Sequence, residues 1–132
     1  MNFQYLGTAA AEGIPAVFCT CERCKRSRKI GGRAFRTRSQ AIIDDALLID
    51  FPADAYTHAL TYGVDYSKIH HLLVTHSHSD HFYASDFDMM RKGFATLPDD
   101  YCMTVYGGEA VWHELEKIGV NKLTESGRLM YR

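Results

Sequence analysis

The sequence lacks any apolar run near the roughly 18 residues that a membrane-spanning helix needs. Its opening, Met1-Asn2-Phe3-Gln4-Tyr5-Leu6-Gly7, has no basic segment followed by an apolar one, so it does not read as a secretory signal. There is no internal repeat and no low-complexity tract. The net charge is only -1, so no global field favours nucleic acid or a membrane surface. The expectation from these absences is a cytoplasmic protein that does not associate with membranes. What is present is ordinary for one globular domain: 132 residues, 46% apolar and 23% charged, with no room for a second domain.

The small net charge conceals an asymmetry. Residues 1–40 carry a net +6 and the remainder a net -7. All the basic residues of the first part (Arg23, Lys25, Arg26, Arg28, Lys29, Arg33, Arg36, Arg38) fall between positions 23 and 38. Such a run either steers an anionic substrate or is simply a solvated surface.

The chain has 4 cysteines, and three form the pattern C-x-C-x-x-C: Cys19, Cys21 and Cys24. In a reducing compartment, cysteines this close are metal ligands more often than disulfides. A turn can bring three thiolates to one tetrahedral ion. Lysine, arginine and glycine follow, which suggests an irregular knuckle over 19–24. Cys102 heads a strand-like run and reads as an ordinary buried cysteine.

Hydropathy patterning predicts alternating strands and helices, hence α/β layers. Strands are expected at 3–6, 39–43, 46–49, 69–75 and 101–106. Asp44-Asp45 would turn a hairpin, and Leu72-Leu73-Val74 reads as a strand buried on both faces. Helices are expected at 53–62 after Pro52, at 85–92 capped by Ser85 with Asp88 at its third position, and at 109–118. The tail from 121 shows at most one more strand.

Thr75-His76-Ser77-His78-Ser79-Asp80-His81 carries the chemistry. Three imidazoles and a carboxylate follow directly on a strand, where an abrupt turn lets them converge. His76 and His78, two apart, can share one face and one ion. Asp80 and His81 then turn toward a second position nearby. The donor set suits Zn(II), and equally Mn(II) or Fe(II). Ser77 and Ser79 are small enough to leave room for ions and substrate. Burial of so many polar groups without ligands would be costly.

These residues resemble the H-x-H-x-D-H signature of the metallo-β-lactamase superfamily. Asp50, ending the preceding strand, resembles its supporting aspartate. Leu6-Gly7-Thr8 through Pro15, the cysteine pattern and Val105-Tyr106-Gly107-Gly108 resemble one branch, the PhnP-like phosphoribosyl cyclic phosphate phosphodiesterases. The protein PqqB shares the cysteine knuckle, and transfer-RNA 3′ processing nucleases share the histidine motif. The resemblance implies an αββα sandwich of which residues 1–132 form about the first αβ half, a single partial domain. It implies two divalent ions, Zn or Mn. His76 and His78 would hold the first, and Asp80 and His81 the second, with Asp80 the catalytic carboxylate. Cys19, Cys21 and Cys24 would hold a separate structural Zn.

The implied activity is hydrolysis of a small cyclic phosphate or nucleotide-like ester by a metal-activated water. In the superfamily the remaining ligands lie beyond the position of Arg132; His58, His70, His71 and His113 do not match them. The expectation is therefore a fragment or part of an assembly with little activity alone, its sheet covered by a C-terminal half or by a second copy. On this reading Leu48, Leu72 and Val74 would face solvent or that partner. Two alternatives stay open: a non-catalytic metal-binding or interaction fragment, and an RNA-processing nuclease using residues 23–38 on phosphates.

Overall fold

A computed structural model describes residues 1–132. Six strands form one mixed sheet in the order of the sequence: β1 (Phe3–Gly7), β2 (Gln40–Ile43), β3 (Leu47–Ile49), β4 (His71–Leu73), β5 (Met103–Tyr106) and β6 (Leu129–Tyr131). The first three strands are antiparallel and the last three run parallel to β3. The hairpin between β2 and β3 turns at Asp44 and Asp45, with φ of 50° and 53°. Two left-handed residues match the right-handed twist of the flanking strands, and aspartate tolerates that conformation.

Helices make the remaining crossings: α1 (Glu22–Ile30), α2 (Ala55–Tyr62), α3 (Glu109–Lys117) and the short α4 (Asn121–Glu125). Gly63, left-handed at φ 69°, stops α2, donating its N–H to the carbonyl of Ala59. No helix is long and apolar enough to cross a membrane.

The sheet has two unlike faces. Ile42, Leu48, Leu72 and Val105 lie side by side in register and are buried. Ala55 of α2, Phe87, Val111 and Leu115 of α3 and Leu123 of α4 pack over them in one core. The opposite face bears Phe3, Tyr5, Ile43, Leu47, Ile49, Leu73, Tyr106 and Met130, with no helix over it. Tyr5 is 67% exposed and Leu73 42%.

Several expectations are corrected. Leu48, Leu72 and Val74 are covered by helices; their neighbours Ile49 and Leu73 hold the open side. A strand has period two, so a continuous apolar run states that both faces are apolar but not which one is covered. β4 is accordingly buried on one face only. Residues 22–30, which overlap the irregular knuckle expected at 19–24, are helical. Residues 84–90 form a 3-10 helix in which Ser85 caps nothing. Ala84, Phe87 and Met90 recur every three residues, matching the 3-10 repeat that turns them toward the core. α4 was not foreseen, while the final strand was.

Candidate metal centre

The histidine loop hangs from the C-terminal ends of β3 and β4. Asp50, the residue after β3, has φ 63°, and its N–H donates to Leu73 O at 2.8 Å. This left-handed step points a buried carboxylate at the loop. Asp50 Oδ1 accepts the Thr75 N–H at 2.7 Å and the Thr75 hydroxyl at 2.9 Å. Asp50 Oδ2 lies 2.6 Å from His81 Nδ1. The far end of the loop is tied as well: Phe51 N–H donates to His81 O, and Tyr83 N–H to Phe51 O, both at 2.7 Å. Between these ties the chain turns back, with His81 and Phe82 N–H groups donating to His78 O.

The resulting network fixes the ring nitrogens. Asp50 accepts the His81 Nδ1–H, leaving His81 Nε2 a lone pair, 3.5 Å from Asp80 Oδ2. The Thr75 hydroxyl gives its proton to Asp50 and accepts from His76 Nδ1–H at 3.1 Å, which leaves His76 Nε2 as the second free donor. A carboxylate behind a histidine in this manner orients the ring and raises its basicity toward a metal. The His76 ring stands 4.8 Å from that of His78 and 4.1 Å from that of His81. The three imidazole rings therefore stand near one another, with Asp80 beside His81.

Two details differ from expectation. His76 and His78 are exposed and Asp80 and His81 half-buried, so the desolvation cost foreseen for the loop does not arise. Ser77 and Ser79 do not open space for ions. They line a separate hollow of about 330 Å³ with Tyr83, Glu114 and Lys117.

The cysteines meet more closely. The Sγ atoms of Cys19, Cys21 and Cys24 all lie within 4.8 Å of one another, and no histidine–carboxylate group puts three donors so near together. Cys21 precedes the first turn of α1 and Cys24 is buried one turn in. Arg28 donates to Cys19 O at 2.7 Å and Ala16 O at 2.9 Å, pinning the preceding loop to the helix. The Cys21 thiol is pulled down to about 7, first by the backbone N–H of Cys24 and then by the neighbouring thiols. Cys19 moves upward on balance: the Cys21 N–H lowers it, but the Cys21 and Cys24 thiols raise it. A ready thiolate beside two thiols fits a soft or borderline cation such as Zn(II).

The other candidates lie apart. Cys102 is half-buried rather than buried, with Sγ facing Met103 O. His70 Nδ1 pairs with Cys102 O, His71 with the Tyr106 hydroxyl, and His113 with Glu116. His58 is a packing histidine: its ring spans Gln40 Oε1 and Thr37 Oγ1, each at 2.7 Å. Burial pushes its pKa down, so it is held neutral. Two supporting residues carried no signal of their own in the sequence. Thr75 relays between Asp50 and His76, and buried Gln40 donates to Asp50 O at 3.1 Å, fixing the left-handed residue from behind.

No protein-family model matches the sequence, and no curated protein matches it. Solved structures do. A diphosphatase from the PhnP family aligns over 98% of this chain and 48% of its own, with TM-score 0.68 and 21% identity. Zn(2+)-bound PqqB from Methylobacterium extorquens aligns over 100% of this chain and 45% of its own, with TM-score 0.75 and 20% identity. Human tRNase Z, short form, aligns over 99% and 44%, with TM-score 0.56 and 17% identity. The chain thus spans less than half the length of each of these three structures. Its mixed six-stranded sheet, helical on one side and open on the other, has the metallo-β-lactamase-like α/β fold.

Proposed function

We propose that this chain is the metal-binding αβ half of a metal-dependent hydrolase, and that its substrate is a phosphate diester, either a small cyclic phosphate or a nucleotide-like ester. The observation that carries the reading is the brace from Asp50 to Thr75 and His81, which leaves the outward nitrogens of His76 and His81 as lone-pair donors. Hydrogen-bonded support of this kind suits metal ligation. The likeness to a PhnP-family diphosphatase and to a tRNase Z supports phosphoester chemistry.

His76 and His78 would hold one divalent ion, and Asp80 and His81 a second, Zn or Mn in either place. Bound there, the ions would supply Lewis acidity toward phosphoryl oxygens and a water of lowered pKa. The chain's own part is orientation. Asp50 keeps His81 in one tautomer, Thr75 does the same for His76, and the Asp80 carboxylate stands ready to accept a proton from water. Cys19, Cys21 and Cys24 would hold a structural Zn that fixes the start of α1, and the thiolate-prone Cys21 fits that donor set.

The test is hydrolysis of bis-p-nitrophenyl phosphate by the chain in the presence of Mn(II) or Zn(II). Turnover lost in His76→Ala and in Asp80→Ala supports the proposal. A specific observation favours the alternative of a metal-binding module without turnover: only the cysteines bring three donors together. Metal bound at both clusters with no release of nitrophenol establishes that alternative instead.

A further inference from the structure

The basic side chains between 23 and 38 have no part in either donor cluster beyond Arg28. Three of these cations are engaged. Lys25 pairs with Glu22, Arg28 donates to two carbonyls, and Arg38 pairs with Asp54 at 2.9 Å. The other five, Arg23, Arg26, Lys29, Arg33 and Arg36, are exposed and have no carboxylate partner. α1 turns only Cys24 and Ser27 inward, so its whole outer surface is cationic apart from Glu22 and Ile30. An aromatic ring stands at either end, Phe18 at 96% exposure before the helix and Phe35 at 48% after it. Residues 41–132 carry a net -7, although Arg91, Lys92, Lys122 and Arg128 line a second basic hollow.

Topology adds a direction. β1 and β3 point the same way, so residues 8–39 leave and rejoin the sheet at the edge from which Asp50 and Thr75 also emerge. Three strand spacings separate β1 from β4, about 14 Å along that edge.

We propose that the outer surface of α1, from Phe18 to Arg36, docks the phosphodiester backbone of a single-stranded nucleic acid, with Phe18 and Phe35 as platforms for unstacked bases. Successive cations on a helix match a repeating anion, and exposed aromatic rings accept bases of any sequence. Nine helical residues extend over about 14 Å, too long for one phosphate group. A lipid surface fits less well. Helices that lie on membranes bury a broad apolar face, whereas α1 offers only Ile30 outward and spends its inner side on Cys24 and Ser27. The proposal goes beyond the hydrolase reading and does not depend on it.

Fluorescence anisotropy of a labelled oligouridylate, titrated with the full chain at rising KCl and without added divalent metal, tests it. Binding at low salt is expected, with log K falling against log salt at a slope of about -3 if some four phosphates are neutralised. Arg26→Glu with Lys29→Glu should weaken binding at least about tenfold and flatten that slope. Phe18→Ser should weaken binding and leave the slope unchanged, since stacking releases no ions. Lys92→Glu with Lys122→Glu, near the N-terminal ends of β5 and β6 at the opposite edge, should change nothing, and neither should His78→Ala. Circular dichroism confirms that each variant is folded, and the slope of the unaltered chain needs no variant. The proposal is overturned by absence of binding at low salt or by indifference to the Arg26/Lys29 reversal. Equal loss in the Lys92/Lys122 pair overturns it too, as does co-flotation with phosphatidylserine vesicles by a chain that ignores the oligonucleotide. Absence of diester turnover leaves the docking proposal standing, and absence of docking leaves the hydrolase proposal standing.

Discussion

The cysteine cluster and the histidine loop are equally compact in sequence, six positions each, yet they are assembled by different means. Cys19, Cys21 and Cys24 converge through local geometry, a turn running into the first turn of α1. The histidine loop is held from outside: Asp50, at the end of another strand and 25 residues before Thr75, supplies the carboxylate that sets its register. A site made locally survives changes elsewhere in the fold. A site made by a tertiary brace fails when the brace does.

Removing the brace is the sharpest way to test that contrast. Asp50→Ala leaves the Thr75 N–H and the His81 Nδ1–H without their acceptor. It should cost about 3 kcal/mol of stability and lower metal affinity at the histidine loop about 10–100-fold. Isothermal titration with Mn(II), followed by urea denaturation, measures both. Co(II) bound at the cysteines should keep its thiolate absorption, and loss of that band together with the histidine site would break the comparison.

The reciprocal change is Cys24→Ser. It removes the buried thiol of the cluster, so the Co(II)–thiolate band should weaken by about tenfold in affinity while Mn(II) binding at the histidines is retained. If both sites weaken together, the two clusters are coupled through the edge of the sheet they share.

His58 tests the second layer of the brace, since it holds Gln40, which in turn holds Asp50 O. Its pKa in the fold lies below the ordinary value of about 6.5 because burial disfavours the imidazolium. The unfolded chain therefore takes up the proton first. The stability at stake is fully present above pH of about 6.5 and is lost as the pH falls below it. Urea midpoints at neutral and mildly acid pH should show a decline that is reduced in His58→Gln.

The smallest effect belongs to the open face of the sheet. Leu73→Ser should change stability by no more than about 0.5 kcal/mol, because Leu73 is already half in water. Leu72→Ala, one residue away on the covered face, should cost about 2–5 kcal/mol. Comparable losses for the two would show that the open face is covered in solution.

The sequence was informative wherever one short segment decides the outcome. The hairpin at Asp44-Asp45, the stop at Gly63 and the three-cysteine cluster are all local consequences of residue order. Asp50 was legible as a support only through the resemblance of this strand-end aspartate and the histidine motif to the metallo-β-lactamase pattern. The misreadings have one origin. Leu72, Leu73 and Val74 declare a strand but not its covered side, and Ser85 resembles a cap until a core with a three-residue repeat selects the 3-10 helix. Thr75 and Gln40 gave no warning, since a threonine beside a histidine and a glutamine in a strand are unremarkable until the fold brings them to Asp50.

By itself, the order of residues determined the donors, their types and their spacing, because metal chemistry depends on which atoms lie within a few positions of one another. Tertiary structure alone decided which ring nitrogens those histidines turn outward, which face of the sheet stays bare and that the cations of α1 share an edge with the histidine loop. Each of these depends on atoms distant in the chain meeting at hydrogen-bond or strand-pairing distance, and only the packed sheet brings them there.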